Sequence, residues 1–220
     1  MSLTAPWDYR PLSVSRGLQA PKKCIAPHAG QALAFVGTIR LPQPQESDMP
    51  ISLYDASVRT YLQLTKAMTR FLDKGRVHFE EQGVDPSKIV ETRLYPDMLP
   101  FRFQIVSVAQ HSVGALRALQ EGRFKPPTTS GEDYQQLQEL MARTVNELKE
   151  LTPEAINASE GKELIFEFGK MELPFVAEDF ILSFSLPNFF FHVTTAYDIL
   201  RTSGVPLGKA DFMGPIRFKK

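Results

Sequence analysis

Cysteine is nearly absent, with Cys24 the only one among 220 residues. A single thiol closes no internal disulfide and supplies no Cys–Cys zinc cluster, which excludes a stapled secreted scaffold and points to a reducing, cytoplasmic compartment. Net charge is missing as well: 25 basic side chains balance 25 acidic ones, and the pI is near 6.9. Nucleic acid and anionic membranes both need a basic surplus on one surface, so neither is an expected partner. The longest apolar stretch near the N-terminus, Gly30 to Ile39, is roughly half of what a membrane span requires. No two glycines stand two positions apart, and no Gly-Lys pair is followed by Ser or Thr, which removes the dinucleotide fingerprint and the P-loop. The chain also lacks HExxH, GxSxG and a Glu-x-x-His di-iron motif.

What is present is a 24.8 kDa chain with 43% hydrophobic residues, enough for one domain with a sizeable core. Seven of the 17 prolines fall within the first 50 residues, where no apolar periodicity persists. Residues 1–48 therefore read as a Pro-rich extension, disordered or loosely attached. Up to residue 45 it carries five basic residues against Asp8, the bias of a mitochondrial transit peptide, although its prolines oppose the amphipathic helix such a peptide needs. Translation from Met49 is a second reading of the same segment. Residues 49–214 form the expected helical domain and 215–220 a tail.

Within that domain, apolar residues at 3.6-residue spacing predict helix one from Ser52 to Gln82, closed by Gly83. Asp97 is the expected N-cap of helix two, which carries Phe101, Ile105, Val108, Ser112, Ala115 and Leu119 on one stripe and ends near Gln120. Gly122 to Gly131 reads as a loop, and helix three as Glu132 to Leu151. Alternation about Gly169-Lys170 predicts a β-hairpin between Lys162 and Phe175. Helix four runs from Glu178 to Ser203, stopped by Gly204 and Pro206, with a kink or break expected at Pro187. Phe189, Phe190 and Phe191 in succession mean that this helix is buried nearly all round or that one side meets a partner chain. The fold class is all-α, a four-helix bundle with a small β-hairpin before the last helix.

Two of the four histidines fall inside core-forming helices. His111 shares a face of helix two with Gln104, Val108 and Ala115, and His192 stands one turn after Asn188 on helix four. Imidazoles on facing helices are how a bundle core builds a metal site, and equally how it seats two histidines that merely donate to carbonyls. His78 reads as solvated, and His28 belongs to the extension.

Several ordered strings carry a resemblance. Ser52-Leu53-Tyr54-Asp55-Ala56, Asp97-Met98-Leu99-Pro100-Phe101 with Gln104, and Leu186-Pro187-Asn188-Phe189-Phe190-Phe191-His192-Val193-Thr194-Thr195-Ala196-Tyr197 resemble the family known as domain of unknown function 1993, as do Gly204-Val205-Pro206-Leu207-Gly208-Lys209 and Asp211-Phe212. That family is similar to the DinB/YfiT-like superfamily of four-helix bundles, in which three histidines commonly hold a divalent metal and chains often pair. The resemblance implies a DinB-like bundle and a homodimer. It implies a metal set of His111 and His192, with Asn188 where the superfamily has a further histidine. The divalent ion would be zinc, nickel, iron or manganese, acting with His111 and His192 as catalytic groups on a small organic molecule in a pocket lined by Gln104, Phe191 and Thr195. The alternative is a metal-free dimeric bundle whose phenylalanine-rich pocket binds an apolar ligand, without turnover or by histidine acid/base chemistry of isomerase or lyase type. A histidine base would give a pH limb near 6 to 7.

Overall fold

The computed structural model describes residues 51–219. The expected extension, its transit-peptide and alternative-start readings, and His28 lie outside the described residues. Helix one is two pieces. The Ser52 hydroxyl accepts from the Asp55 amide to open α1 (Leu53–Ala56), and Ser57, whose hydroxyl donates back to the Leu53 carbonyl, separates it from α2 (Val58–Glu81). Gly83, at φ +66°, ends the run in the left-handed conformation only glycine adopts freely.

Helix two departs from expectation at its start. Asp97 caps nothing; Pro100 precedes α3 (Phe101–Ala109) and offers no side-chain cap. The first free amides go to a loop instead, Phe101 N–H donating to the Thr92 carbonyl at 2.8 Å and Arg102 N–H to Val90 at 3.0 Å. The helix then widens into a π turn over Gln110–Gly114 before α4 (Ala115–Glu121) and the left-handed Gly122. The Ser112 hydroxyl donates back to the Val108 carbonyl at 2.7 Å, and the Gln110 amide crosses the bare face of Gly114 to reach the Lys125 carbonyl at 2.8 Å. A Cβ on Gly114 would sit 2.6 Å from Gln110 Oε1, so the crossing requires glycine.

The Gly122–Gly131 segment is not all loop. Arg123–Phe124 forms β1, paired in parallel with Ile165–Phe166 of β2 (Glu163–Phe168), while β2 and β3 (Met171–Val176) make the expected antiparallel hairpin about Gly169-Lys170. The all-α label is corrected accordingly: the chain is mostly helical with a three-stranded sheet in the order β1-β2-β3. Asp133 and Gln136 form a reciprocal capping box that opens α5 (Tyr134–Glu150), and α6 (Pro153–Asn157) follows.

The last long helical run is α7 (Ala177–Asp179), a π turn over Phe180–Ser185, and α8 (Leu186–Thr202). Pro187 lacks the N–H that would serve the Ser183 carbonyl, and the ladder absorbs the defect as a π turn immediately before it rather than as a break. A short α9 (Lys209–Met213) lies on α2. Helix α2 packs on α5, α5 on α3, α3 on α8 and α8 on α2, around a core that includes the fully buried Tyr61, Phe71, Phe101, Phe180 and Phe189. No helix among the described residues is long and apolar enough to cross a membrane.

One close approach in this core is testable. Gly75 on α2 leaves room for the Tyr134 hydroxyl, which donates to the Leu72 carbonyl at 2.8 Å; a Cβ there would lie 2.7 Å from that oxygen and 3.3 Å from Leu200 Cδ2. In an open helix Gly→Ala stabilises by about 1 kcal/mol. Gly75→Ala is expected instead to lower stability by roughly 1–3 kcal/mol, as overpacked cores do. Adding Tyr134→Phe, which removes the crowded oxygen, should recover part of the loss in urea denaturation. A stabilised Gly75→Ala single variant would contradict the packing.

Candidate functional site

The first π turn packs on α8, and this contact brings the two interior histidines together. His111 lies in the first turn and His192 on α8, with ring centroids 5.8 Å apart and planes inclined by 19°. A hydrogen-bond chain ties the turns together: the Tyr61 hydroxyl donates to Ser185 Oγ at 2.9 Å, and Ser185 Oγ donates to the His111 carbonyl at 2.8 Å. Tyr61 and Ser185 escaped the sequence reading because neither carries a motif and their partners lie 124 and 74 positions away.

Aromatic rings wall the pair. His111 meets Phe124 of β1 at 5.2 Å and Phe184 of the second π turn at 5.6 Å, while His192 meets Phe191 at 5.3 Å and Phe103 at 5.9 Å. Phe166 of β2 and Phe175 of β3 pack on Phe184, so the sheet serves as the outer wall of this cluster rather than as a free hairpin. His111 is 4% exposed and His192 9%. Phe191, at 52%, faces the solvent side.

The polar contacts are few. Gln104 Nε2 donates to the Leu99 carbonyl at 2.7 Å, and Gln104 Oε1 lies 2.7 Å from His192 Nδ1. His111 Nδ1 is buried with no hydrogen-bond partner among the described residues. Burial holds both rings neutral, pushing His192 down to about 4 and His111 down to about 3, the latter helped by its neighbour His192. Neither ring is thus expected to titrate between pH 6 and 7 as a solvated histidine would.

The remaining expected site residues are placed differently. Asn188 sits one turn before His192, but its amide nitrogen donates to the Phe184 carbonyl at 2.7 Å, inside the π turn of its own helix. The Thr195 hydroxyl donates to the Phe191 carbonyl at 2.8 Å. Two surface hollows, of about 440 and 250 Å³, lie elsewhere and both border His78; neither includes a residue of the imidazole pair.

The sequence matches the family described as domain of unknown function 1993 across residues 53–213, the stretch that holds both π turns and both imidazoles. The chain belongs to that family. Among solved structures, a DinB family member protein from Shewanella denitrificans superposes with a TM-score of 0.64 at 22% identity, covering 76% of this chain and 95% of that one. At that identity the likeness shows a shared DinB-like fold. No curated protein matches this chain.

In this member of domain of unknown function 1993, the two imidazoles are fewer than the protein ligands of an ordinary zinc site. Zinc sites use three or four imidazole, thiolate or carboxylate ligands, and among the described residues no group of three or more His, Cys, Asp or Glu converges. Two imidazoles converge, and Asn188 brings an amide, whose nitrogen donates to the Phe184 carbonyl and whose oxygen is a poorer zinc ligand than imidazole, thiolate or carboxylate.

The neutral pair has a thermodynamic signature. An unfolded chain takes up protons on both histidines near pH 6.5 that the folded chain refuses, so stability is complete above that pH and falls as pH drops toward 4. The expected slope is about 1.4 kcal/mol per pH unit for each histidine. His111→Leu should halve the slope, and at pH 7 it should leave stability unchanged or higher, because an unpartnered buried nitrogen costs about 1–3 kcal/mol. Denaturation curves that coincide between pH 6.5 and 4.5 would contradict the assignment.

Proposed function

We propose that this DinB-like chain binds a small organic molecule at the His111–His192 pair, without a resident metal ion. The observation that carries the reading is the unpartnered His111 Nδ1 in an aromatic enclosure beside a second neutral ring. Buried polar atoms in native proteins nearly always have a partner, and here the described residues supply none. A ligand that bridges the two rings, entering past the half-exposed Phe191, would supply it. Gln104 and Thr195 then shape the site through His192 and the α8 backbone rather than by direct contact. With both rings neutral at pH 7, the pair offers hydrogen bonding first and proton transfer second, so binding is the primary activity and isomerase- or lyase-type turnover the extension of it.

A second reading keeps the metal. A divalent ion arriving with its substrate would find His111 and His192 already deprotonated, with His192 oriented by Gln104 in the way that outer hydrogen bonds orient metal-bound histidines. The exposed Leu182, Phe190 and Phe191 on the second π turn and α8 support pairing with a second copy of the chain.

Elemental analysis of protein purified without a histidine tag, with and without incubation in zinc, nickel, iron or manganese, separates the two readings. The wild-type chain should hold well under one ion per chain. Asn188→His adds an imidazole four residues from His192 on one helix face, and should raise zinc binding to about one equivalent. Stoichiometric metal in the wild-type chain, lost in His192→Ala, would overturn the metal-free reading.

A further inference from the structure

The Leu99 carbonyl can only accept a hydrogen bond, so the Gln104 group 2.7 Å from it is the amide NH2, and the group facing His192 is the amide oxygen. That oxygen can only accept, so His192 Nδ1 carries the proton. A neutral imidazole has one N–H, and Nε2 is left as a bare lone pair. Gln104 is 2% exposed and tied at both ends, which gives the arrangement no second setting. A glutamine at this point on α3 thus determines the chemistry of a ring 88 positions away on α8.

Building on the reading of the imidazole pair as a ligand site, we propose that Gln104 locks His192 as the Nδ1–H tautomer, so that the site accepts a hydrogen bond at Nε2 and selects neutral molecules bearing an O–H or N–H donor on an aromatic or apolar body. The body is set by Phe103, Phe124, Phe184 and Phe191, whose faces and edges suit another ring. Neutrality is set by the surroundings. Among the described residues no ion pair reaches either ring: the side chains against them are the neutral Gln104 amide and phenylalanine rings. An anion would meet a lone pair with no cation to offset it, and an ammonium group would enter with no carboxylate. Gln104 is a positioning residue here; the ligand touches His192.

The test is a 15N histidine spectrum of the full chain, followed through titrations with phenol, anisole and benzoate, three probes of similar body that differ in donor and charge. The wild-type spectrum should show His192 protonated at Nδ1 and bare at Nε2. Phenol should shift the Nε2 resonance and bind at least about tenfold more tightly than anisole, the worth of one hydrogen bond to a fixed acceptor. Benzoate should bind more weakly than either. Gln104→Met should turn the spectrum into a tautomer mixture and erase the preference for phenol. Gln104→Glu, which cannot donate to the Leu99 carbonyl and sets a carboxylate against the ring, should favour the charged imidazole with Nε2 protonated and likewise erase the preference for phenol. An Nε2–H tautomer in the wild-type chain, equal binding of phenol and anisole, or tighter binding of benzoate would overturn the proposal and leave the ligand site standing. If no probe moves the resonances of His111 or His192, the ligand reading falls with it. The wild-type measurements decide the matter even where a Gln104 variant fails to fold.

Discussion

The structure turns on two π turns tied together by a serine. Ser185, in the second turn, donates to the His111 carbonyl in the first, and Tyr61 reaches across from α2 to donate to that serine. Each turn spends a residue of regular helix and gains a shift in where the following side chains point. The first turn carries His111 into the interior, and the second sets Phe184 against it one helical segment before His192. The packing of α3 on α8 brings the two imidazoles together, and the Ser185 contact ties the second π turn, with Phe184, to the backbone of His111.

The defects that make the π turns possible are specific. Pro187 deprives the Ser183 carbonyl of its α-helical donor, and Gly114 leaves the bare face that the Gln110 amide crosses on its way to Lys125. That second contact also fixes the strand: Lys125 directly follows β1, and β1 supplies Phe124, which packs on His111. The small sheet is therefore structurally continuous with the imidazole pair. Its third strand contributes Phe175 to the same cluster, although its outer face leaves Met171 and Leu173 exposed.

Much of this was legible from the amino-acid sequence where a signal is local and periodic. The alternation about Gly169-Lys170 specified the hairpin, glycines 83 and 204 marked the ends of two long helices, and the positions of His111 and His192 on inward faces brought the rings together. The misses share a physical cause, which is competition from distant partners. Asp97 is a good cap in isolation and lost to the carbonyls of Val90 and Thr92, which satisfy the same amides. Arg123–Phe124 has no period to read, because a two-residue strand exists only through its pairing with Ile165–Phe166. Gln104 shares a helix face with His111, and its side chain reaches across to His192, a contact that no local pattern encodes. Asn188 occupies the position where the resemblance asks for a ligand, and its amide instead serves the backbone of the π turn.

Enclosure in aromatic walls keeps both rings neutral far below the usual histidine range. Proton NMR of the histidine Cε1–H resonances across pH reports this directly for each ring. The resonances of His111 and His192 should stay fixed from pH 8 down to about 5 and begin to move only as pH approaches about 4, where burial places His192. Titration of both rings with midpoints near 6.5 would contradict it, because solvated imidazoles cannot be the dry, neutral pair on which the site depends.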